Sequence, residues 1–441
     1  MNKYSTHTQF LDIWISKIPA HWQAHKMKHL FSERSEKGYP NEPLLVASQN
    51  MGVVPKNVYG NRTVEAQKDL HLLKLVRVGD FVISLRSFQG GLEYAYYQGI
   101  ISPAYTILIP HEPMSGSYFR YLAKSKPFIG LLTLCVTGIR EGQNIDYAKL
   151  KNHLLPVPPR EEQDQIVRFL DWKVSSINKL INIKHKEISE LNESLNTKLR
   201  DVLLSVPNVK EVPLKRICSV PMTDGPHETP TFVDSGIPFV SAEASHDGRI
   251  HLDECRGFIT REQHEVYCQK VRPHKNDIFI VKSGSTTGKT VMVDFDEEFS
   301  IWSPLALVRC NNLAMPRYVF FYCTSVMFQK QVRDNWSFGT QPNIGMGVLE
   351  NLRLPLPEIE EQRAIVDTLD AYWSKVLQVK CNLKKQIEEF QSLKTRIIAD
   401  AVTGKIDVRG IEIPEYEFVD EDADNVDENL EQGADEPPEE E

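Results

Sequence analysis

Two stretches of the chain place apolar residues at alternating steps of three and four, the spacing that aligns one face of an α-helix. The first stripe consists of Ile166, Leu170, Val174, Ile177, Ile181, Ile188, Leu191, Leu195 and Val202, and the second of Ile365, Leu369, Trp373, Val376, Leu383, Ile387, Phe390 and Ile397. Each stripe begins just after prolines and has glutamates in its first turn, which are signals of a helix start. We therefore predict long helices over residues 158–206 and 357–405.

An apolar stripe of this length needs a partner that covers it. About forty residues form a helix of about 60 Å, and the simplest partner for each helix is the other one. The stripes thus favour an antiparallel coiled coil, which would relate the two halves of the chain by a pseudo-two-fold axis. Two separate amphipathic helices, each covering its own globule, are the alternative that the pattern leaves open.

The segments before the two helices contain short β-branched and aromatic runs separated by Gly, Pro and Asn, for example at 80–85, 105–109 and 277–281. Such runs predict strands in mostly β or α+β globules. The sequence therefore predicts an α+β fold with two tandem globules, residues 1–157 and 207–356, each followed by a long helix.

The chain contains an internal repeat with an offset of 199 residues. Of the eighteen positions from 154 to 171, ten are identical to those from 353 to 370, including a Leu-Pro-x-Pro, a Glu-Glu-Gln, an Ile-Val and a Leu-Asp. Weaker matches continue upstream, but the regions between them share little. Each half of the chain is therefore a common frame that carries divergent inserts.

Composition indicates a globular protein, since 41% of the residues are hydrophobic and the richest apolar run, 318–323, is far too short for a membrane span. The N-terminus lacks the pattern of a secretory signal. The seven cysteines are odd in number and never spaced as CxxC. We therefore expect a reduced, cytoplasmic protein without a membrane partner, a disulfide framework or a zinc ribbon.

The net charge of −9 comes from the C-terminus. Residues 411–441 contain 15 Asp or Glu and no Lys or Arg, which leaves 51 basic and 45 acidic residues in the rest of the chain. We predict that residues 406–441 form an acidic, disordered tail. The mildly basic body is compatible with nucleic acid, although an ordinary solubilising surface has the same charge.

Two local motifs resemble binding sites but do not match them. Residues 284–290 are similar to a phosphate-binding loop, yet only three residues separate the glycines and a β-branched run follows, so we predict a hairpin loop. His21, His25, His29 and Glu33 have a four-residue spacing, but residues 26–30 alternate as a strand would, which argues against a metal site. The sequence contains no nucleophile arrangement or cofactor fingerprint, and we expect no catalytic residues.

Two variable globules, each ending in the shared Leu-Pro-x-Pro to Leu-Asp segment that opens a long helix, resemble the DNA-specificity subunits of Type I restriction–modification enzymes. The resemblance covers residues from about 15 to 405 and includes Trp22 with 26–30, the Thr-Asp-Gly-Pro-His-Glu-Thr-Pro run at 223–230, and 338–344. The first globule departs from the pattern, because it lacks the Asp-Gly-x-His run, so DNA contacts cannot be transferred to it.

The resemblance implies that each globule is a target-recognition domain for one half of a split, asymmetric site in double-stranded DNA, and that the helices set the spacing. Two modification subunits would bring S-adenosylmethionine and adenine methyltransferase chemistry. Restriction subunits would add translocation and cleavage that depend on ATP and Mg. The chain itself would be non-catalytic and bind no cofactor.

Loops beside strand ends are the candidate DNA contacts. Arg can pair with guanine and Gln or Asn with adenine, whereas Ser, Thr and Lys more often hold phosphate; each residue could also be an ordinary turn residue. The candidates are Arg86, Ser87, Gln89, Arg140, Gln143 and Asn144 in the first globule, and His227, Thr229, Lys282, Ser283, Ser285, Thr286, Lys289, Gln341 and Asn343 in the second.

Two other functions remain as alternatives. One is an enzyme, a fused methyltransferase–nuclease, against which the missing catalytic motifs argue. The other is a non-catalytic scaffold, in which two β-rich domains on a coiled coil bind protein instead of DNA.

Overall fold

The computed structural model describes residues 3–59, 69–85, 87–137, 144–338 and 341–420 of the 441-residue chain. The chain divides into two compact units, Met1–Ile183 with Gln386–Asp422, and Lys184–Lys385 with Ala423–Glu441. Each unit therefore holds one globule together with part of each long helix, whereas the sequence pattern divides the chain into globules and whole helices.

The first unit is built from short strands and short helices. Its strands are β1 His7–Gln9, β2 Lys17–Pro19, β3 Gln23–Lys26, β4 Phe31–Arg34, β5 Leu45–Ser48, β6 Gly52–Pro55, β7 Lys74–Val76, β8 Phe81–Ile83, β9 Glu93–Tyr94, β10 Gly99–Ile101, β11 Thr106–Pro110, β12 Val136–Thr137, β13 Asn144–Ile145 and β14 Leu154–Val157. Its helices are α1 Lys56–Tyr59, α2 Ser87–Gly90, α3 Gly116–Ala123, α4 Lys126–Leu134, α5 Tyr147–Leu150 and the first part of α6 Arg160–Leu203.

An antiparallel sheet in the order β4-β11-β8-β9 forms the centre of this unit. Its register pairs Ile107 with Val82, and both side chains are fully buried. Pairing of β14 with β3 joins the end of the globule to its beginning, immediately before α6 starts. The buried face of α6 in this unit includes Ile166, Phe169 and Leu170.

The second unit repeats this plan. Its strands are β15 Glu211–Pro213, β16 Thr223–Asp224, β17 Ile237–Val240, β18 Ser245–His246, β19 Arg249–Ile250, β20 Gly257–Ile259, β21 Ile278–Val281, β22 Thr290–Met292, β23 Ser300–Ile301, β24 Leu305–Val308, β25 Ser337–Phe338, β26 Pro342–Asn343 and β27 Arg353–Pro355. Its helices are α7 Arg261–Cys268, α8 Pro316–Thr324, α9 Val326–Asn335, α10 Met346–Leu349 and the first part of α11 Ile359–Val402.

The central sheet of the second unit has the order β16-β24-β21-β22 and is also antiparallel. Like β14 with β3, β27 pairs with β15 before the long helix begins. A three-stranded sheet in the order β20-β17-β23 is added, in which β17 and β23 run parallel. The two units thus share a frame of paired strands and differ in what is inserted into it, and the chain has an α+β fold.

The apolar stripes of the long helices are buried or half-buried. The helices run Arg160–Leu203 and Ile359–Val402, inside the spans that the sequence pattern predicts. In the second unit one core cluster joins the end of α6 to the start of α11. Its residues on these two long helices are Leu195, Leu199, Leu203, Ile365, Val366, Leu369, Trp373 and Val376.

A buried glutamine explains the strongest part of the repeat. The Gln163 Oε1 accepts a hydrogen bond from the Ser115 backbone N–H at 2.8 Å, and its Nε2 donates to the carbonyls of Pro113 and Pro158. Gln362 makes the same three bonds in the second unit, to the Met315 N–H and to the carbonyls of Leu313 and Pro357. Each glutamine thereby fastens the first turn of a long helix to the loop before α3 or α8.

The structure corrects two predictions and supports a third. Residues 26–30 are not one strand, because β3 ends at Lys26 and Met27–His29 form a 3-10 turn. The tail is not solvated throughout, since residues 408–420 lie along α6, where Gln165 Nε2 donates to the Val408 and Ile411 carbonyls; residues 421–441 lie outside the described part. The loop 284–290 is a hairpin loop, as predicted, because β21 and β22 pair on either side of it.

One buried carboxyl in the first unit makes folding depend on pH. Burial raises the pKa of Glu93 to about 7, although the Lys124 ammonium, 2.7 Å from both carboxylate oxygens, lowers it in part. Because the pKa in the folded chain lies above that in the unfolded chain, the folded state holds this proton more tightly. The contribution to stability is therefore complete below about pH 4.5 and is lost as the pH rises through about 7.

We predict that Gln163→Ala and Gln362→Ala each lower the free energy of unfolding by about 2–3 kcal/mol, because three buried backbone groups lose their partner. Hydrogen exchange measured by mass spectrometry should rise in 113–120 for the first variant and in 313–320 for the second. Gln386→Ala, at an exposed position of α11, is the matched control and should change stability by less than about 0.5 kcal/mol. Unchanged exchange in both loops would contradict the assignment.

We predict that Glu93→Gln reduces the loss of unfolding free energy between about pH 5 and pH 8 by about 2 kcal/mol, since the titrating carboxyl is gone. Denaturant unfolding at the two pH values measures this difference. Lys124→Met should act in the opposite direction, because it removes the cation that lowers the pKa of Glu93. Identical pH profiles for the wild type and both variants would overturn the prediction.

Candidate nucleic-acid interface

In the second unit, the hairpin loop 282–289 is joined to the segment just after residue 340. Ser283 forms a β-bridge with Asn343, and the Gly284 N–H donates to the Pro342 carbonyl at 3.0 Å. The Ile344 N–H donates to the Lys282 carbonyl at 2.8 Å. Two candidate segments that are some sixty residues apart in the sequence therefore form one surface.

The tip of this loop carries exposed polar side chains, and hydrogen bonds of Thr287 hold the backbone beneath them. The buried Thr287 hydroxyl lies within hydrogen-bond distance of the carbonyls of Gly284, at 2.8 Å, and Pro342, at 3.0 Å. Ser285 and Thr286, immediately before it, are exposed. The internal hydrogen bonds hold the loop, so the two outer hydroxyls remain available to a ligand.

The exposed amides Gln341 and Asn343 extend the same surface. Lys289 is partly exposed, and its backbone N–H closes the turn by donating to the Thr286 carbonyl at 3.0 Å. Seven of the nine contact residues predicted in the second unit thus lie within this loop pair, and the other two, His227 and Thr229, precede it in sequence.

Asp224, on β16, lies close to two lysines and a histidine. Its carboxylate lies 2.5 Å from the Lys270 Nζ, 3.0 Å from the Lys282 Nζ and 3.2 Å from the His227 Nε2. Burial alone would raise the pKa of Asp224, but the hydrogen bonds from the two lysines outweigh it and hold the pKa below its ordinary value. Lys282, with 13% of its side chain exposed, is therefore largely a partner of Asp224.

In the Asp-Gly-Pro-His run, the aspartate has an electrostatic role and the glycine a steric one. A Cβ at Gly225 would lie 2.2 Å from the Ile301 carbonyl oxygen, so only glycine lets this strand end approach β23. The next residues turn outward, and the Ser303 N–H donates to the Pro226 carbonyl at 3.1 Å. This turn leaves His227 and Thr229 exposed.

The first unit has a smaller counterpart of this surface. Helix α2 follows β8, as the hairpin loop follows β21, and it packs against β13 and α4. Gln89 on α2 and Asn144 on β13 are exposed. Ser87 is fully buried, and its Oγ accepts a hydrogen bond from the Ser84 N–H at 2.8 Å, so we remove it from the candidate contacts. Arg86, Arg140 and Gln143 lie outside the described residues.

Asp224 and Lys270 were missed by the sequence reasoning. Asp224 stands inside the run 223–230 that carries the family resemblance, and that position was a usable signal. Lys270 offers no such signal, because it follows α7 and meets Asp224 across 46 residues of chain.

Among the described residues, two clusters combine ligands that suit a metal ion, His246 with His251 and Glu254, and His264 with Glu265 and Glu298. The spacing of His21, His25 and His29 does not form a third in the described part of the chain. Within the same described ranges, no helix is both long and apolar enough to cross a membrane.

Comparison with known proteins agrees with this architecture. Residues 208–389 match the family model described as the Type I restriction modification DNA specificity domain. The chain is 25% identical over 355 residues to the type I restriction enzyme MjaVIII specificity subunit of Methanocaldococcus jannaschii, with 76% of this chain and 81% of that protein covered. It is 22% identical over 441 residues to the putative MjaX specificity subunit of the same organism, with 90% and 96% covered.

Among solved structures, a chain from a type I R-M system whose complex assembly and conformational transition were studied aligns with a TM-score of 0.60. The sequence identity is 17%, and the alignment covers 88% of this chain and 99% of that one, which shows a shared fold. The matching domain, the specificity-subunit relatives and the repeated frame all support a type I restriction–modification specificity (S) subunit.

Proposed function

We propose that this chain reads a bipartite, asymmetric site in double-stranded DNA as the specificity subunit of a type I restriction–modification complex. The repeated frame carries the proposal. In each unit the segment after β8 or β21 lies beside a short strand, β13 or β26, that precedes the long helix. The residues in these equivalent places differ, so the two units suit two different half-sites.

The exposed groups on these segments fit the chemistry of DNA. The amides of Gln341 and Asn343 in the second unit, and of Gln89 and Asn144 in the first, can pair with the edge of adenine in the major groove. The hydroxyls at the tip of the hairpin loop suit phosphate oxygens, which position a protein without reading sequence. Together they provide both kinds of contact that a sequence-specific reader needs.

In this function the two long helices pair as an antiparallel coiled coil and act as a ruler between the half-sites. Contacts in the first unit support this pairing. Glu162, in the first turn of α6, accepts a hydrogen bond from Trp22 Nε1 at 3.1 Å, and Gly404, just beyond α11, lies against the same indole. Farther along, the Lys394 Nζ donates to the Asn178 Oδ1 at 3.2 Å. The start of α6 therefore lies near the end of α11.

Contacts in the second unit support the same direction. The hydroxyls of Ser194 on α6 and Tyr372 on α11 are 2.6 Å apart, and Leu199 and Ile365 belong to one core cluster. Here the end of α6 meets the start of α11. A pseudo-two-fold relation between the two recognition domains is part of the proposal, because antiparallel helices provide such an axis.

The proposal assigns the chemistry to partners. Two modification subunits would carry S-adenosylmethionine and adenine methyltransferase activity, and restriction subunits would use ATP and Mg. The present chain would be non-catalytic and bind none of these cofactors. The relatives named as specificity subunits support this division of labour.

We predict that replacing residues 207–356 with the corresponding domain of another specificity subunit changes only one half of the methylated motif. Sequencing of methylated adenines in cells that express the chimera with its modification partner measures the result. The reciprocal replacement of residues 1–157 should change the other half. A motif that changes in both halves, or in neither, contradicts the assignment of one half-site to each domain.

We predict that the double variant Ser285→Ala/Thr286→Ala weakens DNA binding by the methyltransferase complex about 10-fold, which corresponds to about 1.4 kcal/mol. The measurement is titration with cognate duplex at fixed salt. Ser219→Ala is the matched control. Ser219 is exposed, and it follows Cys218, whose backbone forms a β-bridge with that of Cys310 at the other end of the central sheet. Equal affinities for the two variants would remove the hairpin loop from the interface.

A further inference from the structure

A small cluster of metal-ligating side chains lies in the second unit, outside the candidate DNA surface. It begins on the hairpin of β18 and β19 and ends in the 3-10 turn Leu252–Glu254. His246, His251 and Glu254 each place one ligand atom within 4.8 Å of the other two. Two imidazoles and one carboxylate form a donor set that zinc and related divalent transition metals accept.

One of these imidazoles has an unsatisfied nitrogen. The Nε2 of His251 is buried and makes no hydrogen bond in the structure. The ring stacks on His246 with 3.9 Å between the centroids, so His246 covers one of its faces, and one of the two rings must turn for both to bind the same ion. A buried polar atom without a partner costs free energy, and a bound cation would remove that cost.

The other imidazole, His246, is oriented by the Asp247 carboxylate at the nitrogen that does not face Glu254. The His246 Nε2 lies 2.8 Å from the Glu254 Oε2, while its Nδ1 lies 3.3 Å from the Asp247 Oδ2. Metal-bound histidines commonly donate their second N–H to a carboxylate in this way, which fixes the ring and its tautomer. Asp247 is itself held by the Lys384 Nζ of α11 at 2.9 Å.

The second His and carboxylate cluster lacks these properties. In the group of His264, Glu265 and Glu298, Arg272 bonds to both carboxylates, and Arg261 lies 2.9 Å from Glu298. Two guanidinium groups therefore neutralise the oxygens that a cation would need. The His264 Nδ1 is already bonded to the Ser300 Oγ at 2.8 Å.

We infer that His246, His251 and Glu254 form a zinc site, a property that the DNA-reading proposal neither requires nor contains. Three protein ligands leave the remaining coordination positions to water. The proton between His246 and Glu254 leaves when the ion binds, since both ligands must be deprotonated.

The position of the hairpin gives the ion a structural role. At the hairpin tip, Gly248 has a φ of +78° and a Cβ there would lie 2.8 Å from Trp373 and 2.9 Å from Phe320. The tip thus docks against α11 and α8, with the ion pair from Asp247 to α11 beside it. Zinc would fasten the 3-10 turn to this hairpin and stabilise the second unit where its globule meets the long helix.

The test uses the full chain after chelation and removal of the chelator, with Co²⁺ as a spectroscopic probe and Zn²⁺ as the competitor. The wild type should bind about one Co²⁺ with d–d absorption and no thiolate charge-transfer band, and Zn²⁺ should abolish the signal. Zn²⁺ should also raise the midpoint of thermal unfolding, whereas Mg²⁺ should not. His251→Ala and Glu254→Gln should lose both effects.

Two further variants sharpen this test. Asp247→Asn should weaken the affinity for Co²⁺ by about 10-fold, the size expected when the carboxylate behind a liganding histidine is lost. His25→Ala, at a partly exposed histidine of the first unit, is the control and should bind as the wild type does. Glu254→Gln keeps the side-chain shape at a half-exposed position, so it tests the site even if His251→Ala fails to fold. Equal binding by the wild type and Glu254→Gln, or a thiolate band, would overturn the inference.

Discussion

The buried amide at the start of each long helix is the interaction on which the architecture of both units depends. Gln163 and Gln362 are fully buried, and each satisfies one backbone N–H and two carbonyls. Loss of any of these bonds would leave a polar group without a partner in the core. The first turn of the helix therefore has one position and one direction relative to the central sheet, and the rest of the helix continues that direction.

An identical residue in the repeat need not have an identical role. Glu162 is buried and receives hydrogen bonds from Tyr4 and Trp22, which anchors the N-terminal segment of the first unit to α6. Its counterpart Glu361 is exposed and accepts only a local bond from the Glu358 N–H among the contacts described. The repeated Glu-Glu-Gln sequence thus combines a glutamine with the same role in both units and a glutamate whose contacts differ between them.

The elements that depend on local signals were predictable from the sequence, and those that depend on distant partners were not. The stripes and prolines place α6 and α11 within three residues of their observed ends, and glycine spacing identifies the hairpin loop. The parallel pairing of β17 with β23 joins segments about sixty residues apart, for which no local pattern exists. For the same reason, the burial of Ser87 could not be foreseen, because helix α2, on which it lies, packs against α4 and β13.

The pairing of cations on Asp224 affects how the proposed DNA surface would work. Phosphate contacts supply affinity without sequence information, and they do so through unpaired Lys and Arg. Lys270 and Lys282 share one carboxylate whose lowered pKa keeps it ionised, so the net positive charge of the group is about half that of the two lysines alone. The neutral amides beside them then weigh more in the choice of sequence. If the chain reads DNA as proposed, partner subunits that add phosphate contacts would raise its affinity for DNA.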